Sequence, residues 1–389
     1  MSTMKSIVLG AFVAAIIDSI SAQTGSGGVS IPPEYYYLLP AGYEGSINAN
    51  FIDTETGNSS IDAILAAARN STFYAYDDSF YTIVDASPQI TTISASNSTF
   101  VAAKEGGVWV PEHNQVWFDG GGDDPRPYYI LDMSTYEITP PGNNTIPPIV
   151  SGGSYHDGAV YFASLGLKSL SAVPAIYAID VVTGSSSCAH PGEDNLFFTT
   201  LDLGANGETW LSDAVLPNAV WRFTPSTKTV QAVISRGDIL APNGIAADPN
   251  GNHLYVSDVA LVQLTGPGSN SSGSPAIYKF DLDADCNPVN KRLFAIDRSG
   301  LADGMKVDNY GRVWTAEWNG IVVRDSRGRE LGVFNGEQLV EDEYAPIENF
   351  ALAGDKLVIL AGDKILVVQL NQDVTDPASA TKQRRGLPH

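Results

Sequence analysis

Short apolar runs broken by tight polar turns dominate the chain beyond residue 100. Six stretches share one pattern: an apolar strand, a turn containing Gly, Asn or Asp, then a second strand with an aromatic residue near its start. They are VWVPEHNQVWF (108–118), GSYHDGAVYF (153–162), LDLGANGETWL (201–211), IAADPNGNHLYV (245–256), MKVDNYGRVWT (305–315) and FALAGDKLVI (350–359). The common second-strand position holds Trp117, Tyr161, Trp210, Tyr255, Trp314 and Val358, separated by 44, 49, 45, 59 and 44 residues. A unit of about 40–50 residues built from short alternating strands is the size of one four-stranded propeller blade. The sequence therefore predicts an all-β fold, a six-bladed β-propeller with four-stranded blades. A loop-forming insertion at 265–275 (TGPGSNSSGSP) accounts for the long interval.

Upstream of the repeats the pattern changes. Residues 60–69 read as a helix, and 81–84 and 89–93 as strands that supply outer positions against the last repeat. At the start, Lys5 precedes an apolar run over 7–17 and a small residue at Ala22, the layout of a secretory leader. The run is too short to span a bilayer of about 30 Å. The expected organisation is a leader at 1–22, an N-terminal extension at 23–44, a single propeller at 45–372 and a disordered tail at 373–389. A secreted or secretory-pathway protein follows, with Asn-x-Ser/Thr acceptor sites for glycans at Asn58, Asn70, Asn97, Asn143 and Asn270.

Charge narrows the partners. The 389 residues carry 44 acidic and 22 basic side chains, a formal charge of −22, which repels phosphate and excludes nucleic acid as a partner. The expected partner is a small-molecule substrate, with no membrane and no obligate protein partner. Two cysteines cannot staple a scaffold. Cys188 and Cys286 fall two blades apart, beyond the roughly 7 Å that a disulfide tolerates between Cα atoms, so both are expected as free thiols. His113, His156 and His253 fall in turns and His190 in a loop, without the order of a serine-hydrolase triad.

In a propeller the residues just before each innermost strand converge on the axis. Those positions hold Glu105, Thr199-Thr200, Asn243, Asp303 and Glu348-Asn349. Glu105, Asn243 and Asp303 are hard oxygen donors, suited to Ca²⁺ or Mg²⁺ rather than zinc. A second ring of acids after the aromatic strands, Asp119, Asp213, Asp258 and Glu317, is expected at the same mouth.

These residues carry a resemblance. PNGIAADPNGNHLYVSD, AIYKFDLD and GLADGMKVDNYGRVWTA, with EGGVWVPEHNQVWF and SGGSYHDGAVYFAS, resemble the gluconolactonase and senescence-marker-protein family, in particular its fungal lactonohydrolase branch, over roughly residues 100–370. The resemblance implies a six-bladed propeller with one divalent cation, usually Ca²⁺, on its axis, opening lactones with water. It places the metal ligands on Glu105, Asn243 and Asp303. The chain departs from the family at Thr199-Thr200, where an Asn-Asp pair is expected, and at Lys104-Glu105-Gly106-Gly107, where His-Glu-Ala-Pro is expected.

Three readings follow. The first is a secreted, Ca²⁺-dependent lactonohydrolase with Asp303 as general base, Glu348 replacing the missing carboxylate, and Thr199, Thr200, Asp213, Asp258, Glu317 and Asn349 lining the pocket. The second is a non-hydrolytic enzyme of secondary metabolism that guides a cyclisation such as a hetero-Diels–Alder closure. The third is a non-catalytic binding propeller.

Overall fold

The computed structural model describes residues 20–376, apart from 25–26, 38–40, 42–49, 95–101, 121–127, 142–146, 148, 168–170, 172–173, 183–185, 189–194, 202–215, 225, 262–272, 299 and 341–346. The described residues form six sheets of three to six strands, antiparallel throughout except for one parallel pair. The expected repeats are visible as hairpins. Val108–Val110 pairs with Gln115–Asp119, Val150–His156 with Ala159–Ser164, Pro242–Ala247 with His253–Asp258, and Met305–Val307 with Val313–Glu317. Their turns use left-handed residues, Asn114 at φ 52° and Asp157-Gly158 at 46° and 82°, where only short polar side chains or glycine are comfortable.

Two repeats differ from the expected form. Residues 349–361 make one strand, Asn349–Ala361, bent at Gly354, where φ is 68°. In the third unit Leu196–Thr200 pairs directly with Ala219–Thr224, and the expected hairpin at 201–211, with Trp210, lies outside the described residues beyond Leu201.

Packing explains the aromatic periodicity. Trp117, Tyr161, Tyr255, Trp314 and Val358 are all buried. Apolar side chains of successive sheets interlock: Trp117 and Tyr128 with Tyr155 and Phe162, Val220 and Ile234 with Leu254 and Phe280, Tyr255 and Ile277 with Val307 and Val313. Trp314 and Phe334 pack with Phe350 and Leu352, and Val358 and Ile365 with Val116 and Phe118. Each such buried side chain contributes about 1.5–3 kcal/mol. The first strands of neighbouring sheets lie side by side, Val108–Val110 between Val150–His156 and Asn349–Ala361, and Pro242–Ala247 between Leu196–Thr200 and Met305–Val307.

The N-terminal region is woven into these sheets. A helix, Ser59–Arg69, starts at Asn58, whose Oδ1 accepts the Ser60 N–H, and buries Leu65 and Ala68 against Tyr74, Val322 and Val333. Gly28–Ser30 and Phe73–Ala75 extend the sheet of Glu330–Asn335, and Gln89–Ser94 pairs with Lys364–Thr375, Ile93 opposite Ile365. The expected strand at 81–84 is instead the end of a 3-10 turn, Asp78–Thr82, and the residues after it. Asp77 caps that turn through Ser79 N, and Phe80, Ile83 and Val84 bury one face at helical rather than alternating spacing.

Both expected ends of the propeller shift. The backbone of Ile20–Thr24, which straddles the expected cleavage point after residue 22, pairs with Gln89–Ser94. Gly28–Ser30, within the span 23–44 expected as an N-terminal extension, pairs with Phe73–Ala75. The last strand runs to Thr375, beyond the expected boundary at 372, because Val374 is buried and Asn309 exchanges hydrogen bonds with Thr375. No helix among the described residues is long and apolar enough to cross a membrane. Cys286 is free, and the side chain of Cys188 lies outside the described residues.

Candidate active site

Three chain entries meet at one point. Glu105 enters through Gly106 and Gly107, at φ 90° and 59°, and a Cβ on Gly107 would stand 2.4 Å from the Phe350 carbonyl oxygen. The Gly-Gly pair therefore lets this segment lie against the strand that begins at Asn349. Asp303 enters next to Gly304, whose N–H donates to the Glu348 carbonyl over 2.8 Å and whose Cβ, if present, would lie 2.8 Å from Asn349 Oδ1. Asn243 precedes Gly244, where a Cβ would meet the Asp303 carbonyl oxygen at 2.2 Å. Glycine at these places is a requirement of close approach.

The side chains then form two linked pairs. Asn243 Nδ2 donates to Asp303 Oδ1 at 3.0 Å, and Asn349 Nδ2 donates to Glu105 Oε2 at 3.1 Å. Burial raises the Glu105 carboxyl well above its usual range, and the charges of Asp303 and Glu348 push it further, while the Asn349 amide opposes the shift. Burial and then Glu348 raise Asp303 from its usual 3.8 to about 7, against the Asn243 hydrogen bond. Crowded carboxylates without a full set of partners favour protons or a cation.

The remaining expected site residues divide. Thr199 belongs to the site: its Oγ1 donates to the Asn243 carbonyl at 2.8 Å. Thr200 turns to its own sheet, donating to the Pro217 carbonyl at 2.6 Å and accepting from Trp221 Nε1 at 2.8 Å. Glu348 Oε1 lies 3.3 Å from Lys104 Nζ. Asp258 and Glu317 do not line the mouth. Asp258 is buried and accepts the N–H groups of Leu240, Ala241 and Ala260, closing a loop. Glu317 is buried against Arg324 at 2.6 Å and accepts from Thr315. Asp213 lies outside the described residues, as do Asn97, Asn143 and Asn270. Asn58 and Asn70 are exposed at the two ends of the helix. Lys104, whose role sequence reasoning passed over, is the cation paired with Glu348. Its signals were its place beside Glu105 and its standing where the family resemblance leads one to expect His.

The donor set is two carboxylates and amide oxygen, without thiol or imidazole, and it fits a hard divalent cation. Among the described residues no group of three or more His, Cys, Asp or Glu surrounds one point, so Asn243 is needed to complete a set of three.

Residues 187–335, which include Asn243 and Asp303 but not Glu105, match the family model described as SMP-30/Gluconolactonase/LRE-like region. Over that stretch, which is less than half of the chain, the sequence is similar to the SMP-30/gluconolactonase-like family. It is 24% identical over 314 residues to Lactonohydrolase oryH of Aspergillus oryzae, covering 58% of this chain and 66% of that protein. It is likewise 24% identical over 329 residues to a Gluconolactonase of Zymomonas mobilis, covering 74% of this chain and 83% of that protein. Among solved structures, a gluconolactonase from Xanthomonas campestris superposes with a TM-score of 0.59 at 18% identity, over 76% of this chain and 94% of the other. A calcium-binding protein, regucalcin, from Agrobacterium tumefaciens gives 0.50 at 17% identity, over 74% and 97%. At these identities the likeness to the solved structures is one of fold.

Proposed function

We propose that this chain is a lactone-opening hydrolase acting on a small-molecule lactone, built as a closed six-bladed propeller. The observation that carries the reading is the approach of Glu105, Asn243 and Asp303 from three separate sheets, Asn243 hydrogen-bonded to Asp303 and the charge of Asp303 reaching Glu105. The apolar cores between five successive pairs of sheets support ring closure. The names of the curated relatives, lactonases, support the reaction class.

Glu105, Asn243 and Asp303 would hold a divalent cation, for which we propose Ca²⁺, and when bound it would supply Lewis-acid polarisation of the lactone carbonyl. Asp303 accepts the proton of the attacking water as general base. Asn243 fixes the orientation of Asp303 through its 3.0 Å hydrogen bond, and Thr199 fixes the backbone of Asn243. Asn349 steadies Glu105. Glu348 raises the proton affinity of Asp303 while its own carboxylate is engaged by Lys104, so its part is electrostatic.

Entry to the secretory pathway and glycosylation at Asn58 and Asn70 belong to the same proposal, on the leader-like residues 1–22 and the exposure of both asparagines. The cyclisation and pure binding readings find no support in the relatives reported above.

Acid release from a panel of aldonolactones, followed by pH-stat with calcium and again after EDTA, tests the reading. Turnover that chelation abolishes is expected. No acid release from any lactone at saturating calcium overturns it.

A further inference from the structure

Lys104 stands one residue before Glu105 and holds its Nζ 3.3 Å from Glu348 Oε1, with 39% of its side chain exposed. The charge of Glu348 reaches both Glu105 and Asp303, so the ammonium sits at the edge of the same cluster. Lys306, whose charge also reaches Glu105, is buried and turned into a narrow cavity with Asp376. It is closed off from a ligand at the mouth.

Lactone opening converts a neutral substrate into an anion. Water adds to the carbonyl carbon, and the bond from the acyl carbon to the ring oxygen breaks. That oxygen takes up a proton as a hydroxyl, and the new carboxylic acid releases one proton at neutral pH. The carboxylate is therefore born near Glu348, which is not among the residues that would hold the cation and whose charge opposes the product. We infer that Lys104 is the product-binding residue of this site, its ammonium leaving Glu348 to pair with the carboxylate of the ring-opened hydroxy acid. This rests on the lactone-opening reading. A lysine suits the role because its compact charge rides on a flexible four-carbon stem and can change partners without moving the backbone.

Lys104 then determines specificity at the product stage. A neutral lactone gains little from it, whereas the hydroxy acid gains a charge-assisted hydrogen bond. Calorimetric titration of the full chain in calcium with sodium D-gluconate and sodium 4-hydroxybutyrate tests this directly. Lys104→Gln is expected to weaken carboxylate binding about 10-fold, with Lys104→Arg restoring most of it. The double variant Lys104→Gln/Glu348→Gln removes the acid that the single variant leaves unpaired, and it is expected to bind the carboxylates as weakly as Lys104→Gln. Carboxylate binding that is undetectable in the unaltered protein, unchanged in Lys104→Gln, or restored in the double variant overturns the inference. Acid release from lactones is measured on the same preparations. Its absence would instead sink the lactone-opening reading.

Discussion

The hydroxyl of Thr199 donates to the backbone carbonyl of Asn243 across 2.8 Å, tying the edge of one sheet to the entry of the next. Where the family resemblance leads one to expect an Asn-Asp pair, this chain has a residue that braces the strand carrying Asn243. Thr199→Val removes the hydroxyl at nearly constant volume. It is expected to cost about 1 kcal/mol in denaturant unfolding and to weaken calcium binding several-fold. Calcium affinity equal to that of the unaltered protein would show that the brace does not position Asn243.

Asp303 sets a pH signature. Because its carboxyl is raised from 3.8 to about 7, ionising it costs more in the folded protein than in the unfolded chain. Its contribution to stability is fully present below the unfolded value and is lost as pH rises through about 7. Thermal unfolding in chelator should therefore show a Tm that falls between about pH 5 and 8, with protonation of Glu105 acting in the same direction. Calcium should reverse the trend, since a cation binds the ionised carboxylates and competes with their protons. A flat Tm in chelator across that window would contradict the burial of these two acids.

Removing the proposed base isolates chemistry from folding. Asp303→Asn keeps the shape and can still accept through its amide oxygen. Acid release is expected to fall about 10²–10⁴-fold with an unchanged near-ultraviolet circular dichroism spectrum. Retention of more than a tenth of the rate would move the base elsewhere, with Glu348 the first candidate.

The acid cluster around Arg324 makes the opposite kind of prediction. Arg324 is fully buried and faces Glu317 at 2.6 Å, Glu330 at 3.2 Å and Asp297 at 3.8 Å. Arg324→Ala leaves Glu317 and Asp297 without their cation, with only Arg298 remaining beside Glu330, and is expected to cost about 3–5 kcal/mol in urea unfolding. Glu317→Gln should lower stability while leaving the KM for a lactone unchanged. A raised KM would return Glu317 to the pocket.

Sequence periodicity was enough to find the hairpins at 108–118, 153–162, 245–256 and 305–315, because buried aromatics and left-handed turn residues leave a local mark. It also pointed to Glu105, Asn243 and Asp303, which lie at or just before the first strands of three sheets. It failed for Asp258 and Glu317. Counting along a strand gives the height of a residue in a blade, but not whether neighbouring amides or a buried arginine claim its side chain. Thr200 failed for the same reason, drawn away by Trp221 and Pro217. The pairing of Ile20–Thr24 and Gly28–Ser30 was illegible because its partners lie far away in the sequence and the segments themselves show no alternation. Lys104 was overlooked because a lysine beside an acid usually signals a solvated surface.

The pairing of Ile93 with Ile365 has a temporal cost. At about 5–20 residues per second, synthesis takes roughly a quarter of a minute to a minute to travel between them. Throughout that interval the strand Gln89–Ser94, with its run of Ile and Thr, presents an unpaired edge of the kind that recruits foreign strands. Newly made chains are thus most vulnerable before their last strand emerges, and the yield of recombinant protein should depend on holdase chaperones more than on the stability of the finished molecule.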